Sequence, residues 1–228
     1  MSLGMISFES RSDSVQVPTE ISFDRFRRWV HSPEYPERGR FSYLAGEVLI
    51  DMSPENLQSH NRAKTDLGGD MRTWISRLDL GELLTDGALL INELVGLSTE
   101  PDLMFCSWEN LRSGRVSYCE STPGSGNLVE VVGSPDLTVE IVSRSSVRKD
   151  RVVLMDLYYQ AGIEEYWLID ARGPTIDFQL FVRGTDGFVP VAADADSYLR
   201  SQVLGGSFQL ERTVSRAGSF QYTLHSKP

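Results

Sequence analysis

Pro135-Asp136-Leu137-Thr138-Val139-Glu140-Ile141-Val142 reads as one strand with a carboxylate near each end. Side chains two and four residues apart share a face of a strand, so Asp136, Thr138 and Glu140 point one way while Leu137, Val139 and Ile141 point the other. Acidic side chains are rarely buried without a counter-charge or a metal, so a glutamate inside an apolar run calls for a partner. Asp136 is too far along the strand to serve, at about 13 Å. A second Pro-Asp step, Pro101-Asp102, opens another apolar run, Asp102–Cys106. If the two strands run antiparallel, the start of one lies beside the end of the other and Asp102 meets Glu140. Opposed residues have Cβ atoms roughly 5 Å apart, close enough for two carboxylates to hold one Mg²⁺. Asp136 is left as the residue that opens its strand and caps a turn.

Working outward, Ile21–Val30 has apolar residues at helical spacing with Ser22 as N-cap, and Arg40–Met52 reads as a hairpin around Ala45-Gly46 with Glu47 just past the turn. Leu67, Met71, Trp74, Ile75 and Leu78 recur at three- and four-residue steps, which predicts a helix from about 57 to 78. Strands are expected over 82–85, 88–92, 102–106, 137–142 and 165–170, and Ser121–Gly126 is a flexible connection. A helix over about 150–161, stopped by Gly162, supplies the crossover that parallel neighbours need. Hairpins over 175–191 and a strand near 207–210 follow. The fold class this order implies is α/β: a mixed β-sheet flanked by helices, with additional antiparallel strands. One domain is expected over 21–211, with 1–20 as a leader and 212–228 as a tail. Met1–Gly4 reads as a cloning scar, since it lacks the basic and apolar regions of a secretory signal.

The 228 residues, 40% hydrophobic and 24% charged, are ordinary for a soluble globular protein, and no segment has the length of a membrane span. Cys106 and Cys119 form no CxxC and have no nearby His, which points to reduced thiols in the cytoplasm. A net charge of −10 argues against a general nucleic-acid coat protein but leaves room for a local basic face, with Arg144, Arg148, Lys149 and Arg151 as one candidate and Arg25, Arg27 and Arg28 as another. Neither a P-loop, a dinucleotide turn nor a nucleophile elbow is present. A glycosidase would also use two carboxylates, but Trp74 and Trp167 lie in segments that read as core rather than as sugar platforms.

Taken together, Gly46-Glu47, Met52-Ser53-Pro54, His60, Pro101-Asp102, Pro135–Ser146, Asp150, Tyr158 and Ala161–Asp170 resemble, in order and spacing, the Uma-two family of restriction endonucleases within the PD-(D/E)xK superfamily. The resemblance runs from about Ile21 to Glu211. It implies a restriction-endonuclease-like core and a Mg-dependent endonuclease, Mn being possible, that hydrolyses DNA with Asp102 and Glu140 as metal ligands. Glu47 or His60 would add an outer ligand or orient a phosphate. Two positions depart from the pattern: the superfamily lysine would stand at Val142, and the family's alternative, one turn before Tyr158, at Leu154. Lys149 takes that catalytic place if the chain entering the helix folds back over the site, with Arg148 or Arg151 supplying charge alone, because arginine does not exchange its proton near neutral pH. The alternative reading is a degenerate nuclease-fold module that binds nucleic acid or a protein partner without cleaving. Cutting both strands calls for two sites, hence a homodimer is expected.

Overall fold

The computed structural model describes residues 22–122 and 124–228, together with the backbones of a hairpin, β1 (Met5–Glu9) and β2 (Ser14–Pro18). The scar read at Met1–Gly4 and Pro123 of the Ser121–Gly126 connection lie outside the described residues. Ser22 accepts the Arg25 amide and starts α1 (Phe23–Val30), which buries Phe26 and Trp29. Ala45 and Gly46 both have positive φ, 49° and 100°, the two-residue turn that matches strand twist, and join β3 (Arg40–Leu44) to β4 (Glu47–Asp51). The long helix begins as a π-helical turn, Leu57–Asn61, and tightens into α2 (Arg62–Leu78). Next come β5 (Gly81–Thr85), β6 (Leu89–Asn92), β7 (Leu97–Thr99), β8 (Leu103–Ser107), α3 (Trp108–Ser113), β9 (Val116–Glu120), β10 (Leu128–Gly133) and β11 (Leu137–Ile141). A second π-helical turn, Lys149–Leu154, leads into α4 (Met155–Gln160). Gly162, at φ 84°, ends it, and the Ile163 amide returns to the Tyr158 carbonyl at 3.1 Å. The chain finishes with β12 (Glu165–Asp170), β13 (Asp177–Arg183), β14 (Phe188–Pro190), β15 (Leu199–Ser201), β16 (Gly206–Val214) and β17 (Phe220–Lys227).

Besides the β1-β2 hairpin, the described strands make two six-stranded mixed sheets, ordered β4-β3-β7-β6-β10-β9 and β14-β13-β12-β11-β8-β5, and a three-stranded sheet β15-β16-β17. This is the α/β class expected. In the second sheet β11 runs parallel to β12 through the α4 crossover and antiparallel to β8. Because β11 is covered on both faces, its five residues are all buried. Leu137, Val139 and Ile141 pack with Trp167, Phe208 and the α2 residues Leu67, Met71 and Trp74. On the opposite side Met104, Cys106, Tyr166 and Leu168 meet Tyr158 of α4 and the first sheet through Leu90 and Val131.

The segment expected as a tail is folded over Phe220–Lys227. β17 pairs with β16 along its length and buries Tyr222 and Leu224. Its outward amides are satisfied by α2: Tyr222 donates to Asp66 at 2.9 Å and Leu224 to Asp70 at 2.8 Å. The match is geometric, since two strand residues advance about 6.6 Å and four helical residues about 6 Å.

Glu165 ties this layer to the central sheet. The carboxylate is fully buried and accepts Trp167 Nε1 at 2.7 Å and the Gln202 amide at 3.0 Å. It lies in the stretch that carries the family resemblance, yet its oxygens are used structurally. Glu165→Ala strands both donors, so urea unfolding should show a loss of about 3 kcal/mol; an unchanged midpoint would refute the anchoring role.

Candidate active site

Strand register decides what faces Glu140. β8 and β11 pair Phe105 with Leu137, Met104 with Thr138 and Leu103 with Val139, so one further step opposes Asp102 to Glu140. Asp102 is buried and its Oδ2 accepts the Ile141 amide at 2.8 Å, which turns the carboxylate toward the end of β11. Burial alone would raise its pKa, but His60, the Ile141 amide and Lys64 together hold it below the usual carboxylate value. Asp136 stands at the far end of β11, where it accepts the Ser107 amide at 2.7 Å and the Ser107 hydroxyl at 3.1 Å. It fastens the start of α3.

Glu140 is also buried, and Tyr158 donates to its Oε1 at 2.6 Å. Its pKa is pushed up to about 8, first by burial and then by Asp150 and Asp102, against the pull of Lys149 and Tyr158. The chain leaving β11 folds back through a turn in which Ser143 and Ser146 exchange hydrogen bonds, each amide donating to the other's hydroxyl at 2.9 and 3.1 Å. That turn delivers Lys149 over the site. Its Nζ lies 3.7 Å from Glu140 Oε2 and 3.3 Å from Asp150 Oδ1. Burial works against the ammonium, but Glu140, Asp150 and Asp102 outweigh it and keep the lysine charged. Asp150 is buried, receives the Ser146 hydroxyl, and leaves Oδ1 without a hydrogen bond. Val142 and Leu154, the positions where the resemblance places a lysine, are both fully buried in the core on the α4 side.

The other wall comes from the loop before α2 and its first turns. Asn56 Oδ1 caps the Gln58 and Ser59 amides, each at 2.9 Å, and this fixes Glu55 and His60. His60 is buried, with Nε2 3.4 Å from Asp102 Oδ2 and Nδ1 3.6 Å from Glu55 Oε1. Lys64 is held by Glu55 at 2.6 Å and Asp86 at 2.8 Å, and lies 3.7 Å from Asp102. Arg40 also pairs with Glu55. Glu55, His60 and Asp102 offer ligand atoms within 4.8 Å of one another, the spacing of a cation site. Arg40 and Lys64 face Glu55 and Asp86 on that wall and Lys64 also reaches Asp102, whereas Glu140 and Asp150 share the single ammonium of Lys149. Glu140 and Asp150, whose pKa values burial raises while that of Asp102 is held down, are the carboxylates left least compensated.

The structure thus gathers Asp102, Glu140, Lys149 and His60 around one pocket, with Asp150 beside them. Glu47 is not among them. It sits at the exposed Ala45-Gly46 turn, at the opposite end of β4 from Asp51, which does line the pocket. Arg148 is exposed and does not line it. Arg151 is paired with Asp170 at 3.0 Å and Asp177 at 2.9 Å, and Arg27 is bound to the buried Glu130. Sequence reasoning missed Glu55 and Lys64. The signal was present, since Pro54-Glu55-Asn56 is a helix-capping approach and Lys64 lies one turn beyond His60, on the same helical face.

A family model described as "Uma2: Putative restriction endonuclease" matches residues 23–213. Among solved structures, the chain is similar to a protein from Anabaena variabilis ATCC 29413 described as a putative nuclease belonging to DUF820. The two share 17% identity at a TM-score of 0.58, over 81% of this chain and 91% of that one. No curated protein matches. At that identity the structural likeness speaks for the fold.

Proposed function

The chain belongs to the Uma2 family of "putative restriction endonucleases", and from that premise we propose that it is a divalent-metal-dependent endonuclease hydrolysing DNA phosphodiester bonds. One observation carries the reading: two buried carboxylates, Asp102 and Glu140, stand one register step beyond the Leu103–Val139 pair of β8 and β11, with the ammonium of Lys149 3.7 Å from Glu140. The donor set fits a hard cation. Both ligands are oxygen donors, and the buried Glu140 and Asp150 share one lysine ammonium, at 3.7 and 3.3 Å. When bound, Mg²⁺ or Mn²⁺ would polarise the phosphate and lower the pKa of a coordinated water.

The protein's own groups divide the remaining work. Tyr158 fixes one Glu140 oxygen and leaves Oε2 toward the pocket. The Ile141 amide and His60 fix Asp102, so neither carboxylate has to reorganise. Lys149, held charged by Asp150 and Glu140, offsets charge that develops on the phosphate oxygens. This gives Lys149 the catalytic place that Val142 and Leu154 leave vacant, while Arg148 contributes long-range charge only. Reduced Cys106 and Cys119 fit a cytoplasmic enzyme, and a homodimer would present the two clefts needed to cut both strands. Among the described residues no helix is long and apolar enough to cross a membrane.

The test is conversion of supercoiled plasmid in Mg²⁺, Mn²⁺ or EDTA. Nicking with either metal and none in EDTA supports the reading. A protein that binds DNA but nicks nothing would instead be the non-cleaving module, and light scattering that finds only monomer would reject the dimer.

A further inference from the structure

Net charge −10 leaves this protein few cations for a polyanion, so the arginines that remain unspent are informative. Near the pocket most are committed: Arg40 to Glu55, Arg151 to Asp170 and Asp177, and Lys64 to Glu55 and Asp86. Arg144 is different. It is exposed, follows directly on Ser143 at the pocket edge, and pairs with no carboxylate among the described residues. It borders another hollow, of about 230 Å³, lined by Asn56, Ser59, Ser143, Arg144 and Arg172.

The lining is selective in its chemistry. No Asp or Glu is among the described residues that form it, although the two neighbouring clefts along Arg40 and Asp51 each carry several. Asn56 spends its amide oxygen on the Gln58 and Ser59 amides, which leaves its NH₂ group free to donate. Arg172 holds Asp170 with Nε at 2.9 Å and one terminal nitrogen at 2.7 Å, and its other N–H groups remain. Ser143 belongs to both this hollow and the catalytic pocket, so the two adjoin. A donor-rich, carboxylate-free hollow with two guanidinium groups suits an anion whose oxygens accept several hydrogen bonds at once.

We propose that this hollow holds a non-scissile phosphodiester of the nucleic-acid strand, with Arg144 as its main charge contact, and so sets where along the strand the Asp102–Glu140 pocket acts. The inference rests on the nuclease reading for its substrate, but not for its binding measurement. Such a contact fixes position without reading bases, so its loss weakens all sequences alike.

The experiment is fluorescence anisotropy of a 20-base-pair duplex in EDTA across a salt series, beside plasmid nicking in Mn²⁺. Arg144→Ala is expected to weaken binding about threefold to tenfold and to reduce the slope of log affinity against log salt by about 1. Arg144→Lys should restore the slope, and Arg112→Ala, at the far end of β8 from Asp102, should match wild type in both respects. Wild-type affinity and slope in Arg144→Ala, or an equal loss in Arg112→Ala, would overturn the subsite while wild-type nicking still upholds the nuclease reading. Binding that depends on Arg144 without any nicking would leave the subsite standing and overturn the nuclease.

Discussion

Glu140→Gln is expected to lower metal-dependent nicking by about 10³-fold while the protein remains as stable as wild type. The two halves of that result have separate causes. Glutamine keeps the shape and still accepts the Tyr158 hydroxyl, so the hydrogen bond at 2.6 Å survives. It removes the charge that a metal needs, and metal-activated water with fixed electrostatic stabilisation is worth several kcal/mol of barrier. Stability should not fall, because the wild-type carboxylate is buried beside Asp102 and Asp150 and its pKa already stands near 8. Replacing a crowded buried acid by its amide relieves repulsion from Asp102 and Asp150, and Lys149 keeps its ion pair with Asp150. Thermal melts and single-turnover nicking check both halves. An active Glu140→Gln protein would remove Glu140 from the mechanism.

The second large effect concerns the displaced lysine. Lys149→Met should cost about 10² to 10³ in rate, the range in which a single stabilising or proton-transferring group falls. A simple loss would also follow from disturbed folding, since Glu140 and Asp150 would then lack their counter-charge. Restoring a lysine elsewhere separates the two explanations. Leu154 stands one turn before Tyr158, and residues four apart share a helical face. A lysine there starts on the face that reaches Glu140, and the family resemblance places one at that position. Lys149→Met with Leu154→Lys is therefore expected to recover at least about tenfold of the lost rate. A Lys149→Met protein that nicks at the wild-type rate would contradict the assignment.

How much of this was legible beforehand varies from residue to residue. The alternation in Leu137–Val142 and the two Pro-Asp steps sufficed for the strand pair and its register, because a period of two and an antiparallel pairing leave one way to bring Asp102 beside Glu140. Lys149 was legible only as a conditional, since whether it reaches the site depends on the Ser143–Ser146 turn and the π-helical winding after it. Glu55 and Lys64 escaped because their meeting with Asp102 is a tertiary event, produced by how α2 packs on β8. Glu47 misled for the converse reason: its neighbours fix a turn, and a tight turn at a sheet edge carries its side chain into solvent. In β17 the apolar alternation of Phe220, Tyr222 and Leu224 was there to be read, but its short span in a polar segment hid that Asp66 and Asp70 wait for its amides.

The central claim is that a divalent cation binds between Asp102 and Glu140 rather than at the Glu55–His60 wall. Crystals grown with Mn²⁺ and measured at the manganese edge decide it. The expected result is an anomalous peak within about 2.3 Å of an oxygen of each of Asp102 and Glu140. A peak bound by Glu55 and His60 with Glu140 uninvolved, or no peak at saturating Mn²⁺, would contradict it.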